Sequence, residues 1–132
     1  MIRLEHVTKR FGTKEALRDI TLTINEGETL AVIGGSGSGK STLLRLMIGL
    51  DRPTSGAICI GADNIAAMDE AELDHVRLRM GMVFQYSALF DSMSVGENVA
   101  FGLREHTDKS DAEIRSIAAE KLALVGLPDA AE

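Results

Sequence analysis

Residues 34–42 of this chain are Gly34-Gly35-Ser36-Gly37-Ser38-Gly39-Lys40-Ser41-Thr42. An apolar run, Thr29–Ile33, comes before them, and a helix-like run, Leu43–Ile48, comes after them. This order predicts a β-strand, a glycine-rich loop and a helix. The composition alone would also permit a flexible Gly/Ser linker. A linker, however, needs neither a β-branched strand before it nor an apolar helix after it.

The spacing G-x-x-x-x-G-K-S is that of a P-loop, or Walker A motif. Binding a polyphosphate requires many donors that point at one small volume, and glycines let successive backbone N–H groups face inward. The following helix adds unsatisfied N–H groups and the positive end of its dipole. The motif therefore predicts phosphate binding by Gly34 to Thr42, with Lys40 at the β- and γ-phosphates and Ser41 ligating Mg²⁺.

Composition and charge restrict the class of protein. A length of 132 residues suits one domain, and 45% hydrophobic with 26% charged residues is a globular composition. The net charge of −6 argues against nucleic-acid binding. The single cysteine, Cys59, lies in an apolar run, which predicts a buried thiol in a reducing compartment. With no signal peptide and no apolar run of membrane-spanning length, we expect a cytoplasmic chain whose membrane role requires a partner.

The predicted elements follow from periodicity and capping signals. Alternating residues predict strands near Ile2–Val7 and Ala16–Ile24, and apolar runs predict strands at 57–60 and 81–85. Three capping boxes, which begin at Asp69, Ser94 and Ser110, predict helix starts. The predicted fold class is α/β: a P-loop core with an antiparallel β-subdomain over residues 1–85, and the start of a helical subdomain over 86–132.

Three further segments make the chain resemble the ATP-binding subunit of an ABC transporter. Arg10-Phe11-Gly12 is similar to the family's A-loop, in which an aromatic ring, here Phe11, stacks on adenine. Residues 50–56 are similar to the segment after the P-loop helix. Met82-Val83-Phe84-Gln85 is similar to the Q-loop, whose glutamine contacts Mg²⁺ or the attacking water. The alternative for Phe11 is packing in the β-subdomain core, and the alternative for Gln85 is capping of a neighbouring turn.

Two strings near the Q-loop resemble one branch of that family. Ala88-Leu89-Phe90-Asp91-Ser92 and Leu103-Arg104-Glu105-His106-Thr107 are similar to the Mla, toluene-tolerance and Mce-associated ATPases, which implies phospholipid transport. Importers of amino acids and metals share much of this frame, so an importer of polar solutes stays open as an alternative.

Parts of the family's hydrolytic machinery do not occur among the 132 residues. We find no LSGGQ-type signature, Walker B strand or switch histidine. Ile65-Ala66-Ala67-Met68-Asp69-Glu70 has the outline of Walker B, but its residues favour a helix, with Asp69 as the N-cap. The sequence therefore resembles the N-terminal part of a longer ATPase.

The resemblance implies a function that combines these features. ATP and Mg²⁺ would bind at the P-loop with catalytic roles for Lys40 and Gln85, and two ATPase subunits would form a homodimer. The implied partners are a membrane permease, which would hold the subunit at the inner face of the membrane, and an Mce-type lipid-binding protein. The chain alone would bind ATP with little turnover. A regulatory module that never hydrolyses ATP, or an ABC protein without a permease, are the rival interpretations.

Overall fold

A four-stranded antiparallel sheet forms the framework of the first of two units in the structure. This computed structural model describes residues 1–86 and 88–131, which divide into the units Met1–Met82 and Val83–Glu132. The strands lie in the order β2-β1-β3-β4. Their bounds are β1 Ile2–Phe11, β2 Lys14–Ile24, β3 Ser55–Ile60 and β4 Asp63–Asn64. The sheet confirms the predicted antiparallel β-subdomain.

The β1–β2 hairpin contains register irregularities that were not predicted: bulges at His6 and Asp19, and a further shift between Lys9 and Arg10. His6 and Asp19 both have a φ of 51°, in the left-handed region, and His6 Nδ1 lies 2.7 Å from Asp19 Oδ1. Histidine and aspartate are among the non-glycine residues that tolerate this region. The extra residue in β1 lies between Leu4 and Val7, where the register with β2 shifts. The side chains of Leu4 and Val7 are therefore both fully buried, although a spacing of three residues would place them on opposite faces of a regular strand.

Two helices pack on this sheet. Helix α1 covers Lys40–Met47 and helix α2 covers Glu70–Arg77. The Asp69 side chain accepts a hydrogen bond from the Glu72 backbone N–H at 2.9 Å, so Asp69 caps α2 as predicted, and the Walker B outline is excluded. The largest fully buried side chains of the unit come from both strands and helices: Leu4, Val7, Leu46, Ile58 and Leu73.

Two predicted strands are absent, and the cysteine is less buried than predicted. Residues 29–33 and 81–85 form no strand, and Ile33 and Val83 are 93% and 97% exposed. A strand of this apolar type is stable only when neighbours on both sides satisfy its backbone and cover its faces. Among the described residues, only the four antiparallel strands pair with one another. Cys59 is partly exposed in β3, because side chains alternate between the two faces of a strand and its neighbour Ile58 occupies the buried position.

The second unit contains two helices that begin at predicted capping boxes. Helix α3 covers Val95–His106 and α4 covers Asp111–Leu124. Ser94 and Ser110 each accept a hydrogen bond from the backbone three residues later and are capped in return by Glu97 and Glu113. The buried residues between the helices are Ala100, Ile114 and Ala118. In the part of the chain that the structure describes, no helix combines the length and the apolar character that crossing a membrane requires.

Candidate phosphate-binding site

A cleft of about 210 Å³ lies between the glycine-rich loop and the turn end of the β1–β2 hairpin. Six of the nine loop residues, 37–42, line one side of it. The other side is formed by residues on either side of the hairpin turn: Phe11, Lys14 and Ala16. The first unit thus brings the loop and the aromatic residue that the sequence singled out into one cleft.

Lys40 holds the loop together from inside. Its Nζ donates hydrogen bonds to the carbonyl oxygens of Gly34 and Gly35, both at 2.7 Å, and lies 3.4 Å from Ser38 Oγ. Gly34 and Gly35 therefore contribute through their carbonyl groups, although they do not line the cleft. The ammonium group is fixed at the centre of the loop, where it can neutralise a bound anion.

Gly39 brings the loop into direct contact with strand β2. Its φ is +93°, and a Cβ atom at this position would lie 2.6 Å from the Ala16 carbonyl oxygen and 2.8 Å from Leu17 Cδ2. Both the backbone conformation and the space available therefore require glycine. This contact fixes the width of the cleft, because the loop rests on the same strand that carries Lys14 and Ala16.

The start of α1 is suited to an anion. Gly39 is the N-cap and supplies no side-chain hydrogen bond, and the first turn contains no acidic residue. The first N–H groups of the helix consequently keep their hydrogen-bonding capacity, and the positive end of the dipole is not compensated from within the turn. Ser41 and Thr42 place hydroxyl groups at this end of the cleft. These features fit a phosphate group with its counter-ion.

Phe11 lies at the end of β1 and is 50% exposed. The alternative that it packs in the β-subdomain core does not agree with this exposure. The Lys9 ammonium lies 4.8 Å from the centroid of the ring and is itself held by a hydrogen bond to the Arg52 carbonyl oxygen at 2.7 Å. The ring is thus held in place by a cation–π contact, while part of its surface remains open to the cleft.

Gln85 belongs to the second unit, where it is exposed and follows a segment without strand structure. The prediction that it ends a buried strand is wrong. Its role beside Mg²⁺ stays a prediction, as do the roles assigned to the loop residues and Phe11.

The sequence interpretation missed Lys14 and Ala16. The predicted strand begins at Ala16, whereas the structure begins β2 at Lys14 and pairs Lys14 directly with Phe11 across the two-residue turn Gly12-Thr13. A two-residue connection between strands is a hairpin signal, and it would have identified this pair.

Within residues 1–86 and 88–131, no group of three His, Cys, Asp or Glu residues could hold a metal ion. A divalent cation at this loop would therefore need oxygen ligands from the bound phosphates, with a hydroxyl group such as that of Ser41 beside them.

An antiparallel sheet, a glycine-rich loop closed by its own lysine and a helix that begins at the loop define a domain of the P-loop class. The sequence profile of the family described as ABC transporter matches residues 17–132. The chain therefore belongs to the ABC transporter family.

Curated relatives share this region. The chain is 48% identical over 126 residues to the probable ribonucleotide transport ATP-binding protein Mkl of Mycobacterium tuberculosis, covering 96% of this chain and 35% of that protein. It is 47% identical over 133 residues to the methionine import ATP-binding protein MetN of Rhizobium johnstonii, covering 100% and 36%. The sulfate/thiosulfate import ATP-binding protein CysA of Xanthomonas campestris is 45% identical over 129 residues, at 96% and 36% coverage. The chain thus spans about a third of the length of these relatives.

A solved structure confirms the fold. The ATP-binding cassette MJ0796, as a dimer in a post-hydrolysis state bound to ADP and Pi, superposes with a TM-score of 0.87 at 36% sequence identity. The match covers 98% of this chain and 59% of that chain. The fold is that of an ABC ATPase cassette, which confirms the predicted α/β class.

Proposed function

We propose that the chain is the nucleotide-binding part of an ABC transporter ATP-binding subunit, and that it binds MgATP in the cleft beside the glycine-rich loop. The observation that carries the proposal is the pairing of a phosphate-type loop with an exposed aromatic ring across one cleft. A ring suits a base, and a loop of N–H donors suits phosphates. Family membership and the cassette bound to ADP and Pi support the same ligand.

In this proposal each part of the loop has a distinct task. The backbone of Gly34 to Thr42 surrounds the phosphates, and Lys40 neutralises the β- and γ-phosphates. The Ser41 hydroxyl would supply an oxygen ligand to Mg²⁺, which would offset the negative charge of the phosphates. Catalysis of phosphoryl transfer depends on positioning and charge stabilisation. In this proposal the loop residues position the phosphates and stabilise their negative charge before water attacks.

Hydrolysis and coupling belong to the complete subunit. Gln85 would contact Mg²⁺ or the attacking water and would transmit nucleotide occupancy to a membrane permease. Two subunits would bind two ATP molecules between them, and the permease would hold the dimer at the inner, cytoplasmic face of the membrane. The dimeric state of the MJ0796 cassette supports this assembly.

The test of nucleotide binding is calorimetric titration of the chain with MgATP. We expect Lys40→Ala to abolish measurable binding, because it removes both the central charge and the two hydrogen bonds that close the loop. Lys121→Ala, which removes a positive charge from the exposed surface of α4, serves as the control and should bind as the wild type does. Equal ATP affinity in the wild type and Lys40→Ala would refute the proposal.

For the transported compound we propose a phospholipid or another hydrophobic molecule, with an Mce-type lipid-binding protein as a further partner. The support is the similarity of residues 88–92 and 103–107 to the lipid-transport branch. A polar solute is the second candidate, because the names of the relatives given above refer to ribonucleotide, methionine and sulfate or thiosulfate.

The two candidates differ in what the assembled transporter does in vesicles. With the complete subunit and its permease in phospholipid vesicles, a lipid transporter should move a labelled phospholipid in an ATP-dependent manner. ATP-dependent uptake of methionine or sulfate without lipid movement would favour the importer.

A further inference from the structure

Lys14 lies in the cleft in a position that the P-loop motif does not explain. It is the first residue of β2 and pairs directly with Phe11, the last residue of β1. Directly opposed residues of an antiparallel pair place their side chains on the same face of the sheet, with Cβ atoms about 4.5–5.5 Å apart. An ammonium group and an aromatic ring therefore stand side by side on the wall of the cleft that faces the loop.

The other basic residues near this end of the hairpin are engaged elsewhere. Arg10 binds Glu15, with its Nη2 at 2.7 Å and its Nε at 2.9 Å from the same carboxylate oxygen. Arg18 lies 3.5 Å from Glu15. Lys9 donates to the Arg52 carbonyl oxygen. Within the described residues, Lys14 has neither a salt bridge nor a side-chain hydrogen bond, so its charge is available to a ligand.

A nucleotide that uses both walls must cross the cleft between them. If the base stacks on Phe11 and the phosphates lie among residues 37–42, where the motif binds the α- and β-phosphates through backbone N–H groups, the ribose bridges the gap. The α-phosphate is the phosphate closest to the ribose, and Lys14 is the cation on the wall beside the base. A lysine ammonium acts as a point charge with three donors and matches a phosphate oxygen without strict orientation.

We infer that Lys14 is a nucleotide-binding residue that contacts the α-phosphate of the bound nucleotide. The inference rests on the proposed function, and it adds a third charge-bearing contact to Lys40 and the helix N-terminus. Because ATP and ADP both carry an α-phosphate, Lys14 stabilises both nucleotides equally. It holds the nucleotide in the cleft without distinguishing the states before and after hydrolysis.

The test measures MgATP and MgADP affinity of the chain by calorimetry for Lys14→Gln, Lys14→Arg and the control Lys109→Gln. Lys109 lies outside the cleft, between α3 and α4, and its replacement causes the same change in net charge. We expect Lys14→Gln to lower the affinity for MgATP and for MgADP by the same factor. The factor is about three- to tenfold, as expected for one exposed charged hydrogen bond. Lys14→Arg and Lys109→Gln should stay near wild type.

The affinity of Lys14→Gln should also fall less steeply with added salt, because one charge–phosphate contact has been removed. Unchanged affinity in Lys14→Gln, a loss restricted to ATP, or an equal loss in Lys14→Arg would each overturn the inference. Its failure is distinguishable from failure of the proposed function, since in the latter case Lys40→Ala would bind ATP as well as the wild type does.

Discussion

Gly39 is the residue at which the loop is least able to accept a side chain. Replacing it with alanine combines a left-handed backbone with a Cβ placed 2.6 Å from the Ala16 carbonyl oxygen. Left-handed strain alone costs about 1–3 kcal/mol, and the overlap adds to it because the opposing atom belongs to the backbone. We therefore expect Gly39→Ala to lower the free energy of unfolding by at least this amount, measured in urea.

The matched control for this prediction is Gly35→Ala in the same loop. Gly35 has no positive φ, and nothing lies within 4 Å of an added Cβ. Its replacement should change stability by less than about 0.5 kcal/mol, as is usual for surface substitutions. Equal losses in the two variants would mean that the contact between the loop and β2 does not matter for stability.

Phe11 offers a second prediction at the residue scale. If the ring stacks on the base, Phe11→Ala should lower the affinity for MgATP by about five- to a hundredfold, which is the range for loss of one base–aromatic stack. Phe11→Tyr keeps the π-face and should retain affinity within a few-fold. Fluorescence or calorimetric titration of both variants with MgATP measures this effect. Wild-type affinity in Phe11→Ala would show that the ring does not stack on the base.

The capping boxes make the helices of the second unit sensitive to acid. The pKa of Glu97 is lowered because the Ser94 backbone N–H donates to it, and the pKa of Glu113 is lowered because the Ser110 hydroxyl donates to it. A carboxylate whose pKa is lower in the folded state stabilises that state above its ordinary pKa of 4.5 and loses this contribution as the pH falls through the folded value.

We therefore expect helix content to fall as the pH drops below about 4.5, and the double variant Glu97→Gln, Glu113→Gln to lose less. Glutamine preserves both capping boxes, because its side-chain oxygen can still accept the hydrogen bond, but it has no charge to titrate. Circular dichroism between neutral and acidic pH measures this effect. Glu105→Gln, outside the boxes on α3, should follow the wild-type curve, and a double variant that also follows it would contradict the prediction.

How far the sequence predicted these elements depends on where their stabilising contacts lie. Capping boxes involve residues only three apart, so the sequence predicted correctly the helix starts at Asp69, Ser94 and Ser110. The segments 29–33 and 81–85 have the composition of buried strands, yet their structure depends on neighbouring strands that their own sequence cannot supply. The bulges at His6 and Asp19 could not be located from the sequence, because these residue types tolerate a positive φ but also occur in many other conformations.

The candidate site divides in the same way. The loop could be predicted, because its backbone conformation requires glycine at fixed positions and the P-loop spacing gives those positions. Lys14 and Ala16 were not identified, because their place in the cleft arises from the cross-strand register and from the contact of Gly39 with β2. The short turn is a local signal for the pairing of Phe11 with Lys14, but the approach of that pair to the glycine-rich loop depends on contacts between distant residues, which no local pattern records.

For the molecule as a whole, we expect binding without sustained turnover. The 132 residues include the P-loop but no segment of the signature or Walker B type, so the residues that polarise water and complete the γ-phosphate site are not in this chain. Steady-state phosphate release should be near background while calorimetry detects MgATP binding, with Lys40→Ala as the blank. Release at a rate typical of an intact ABC ATPase would show that the chain hydrolyses ATP without those segments.

The two bulges of the hairpin also limit how this region can change in length during evolution. Loss of His6 alone would restore regular alternation to β1 and turn either Leu4 or Val7 out of the core, because a shift of one residue exchanges the faces of a strand. Loss of Asp19 alone would do the same to β2. Losing both together preserves the pairing of Phe11 with Lys14. A deletion at one of these two positions should therefore be tolerated best when a deletion on the other strand matches it, because a single deletion shifts the pairing of Phe11 with Lys14 at the cleft.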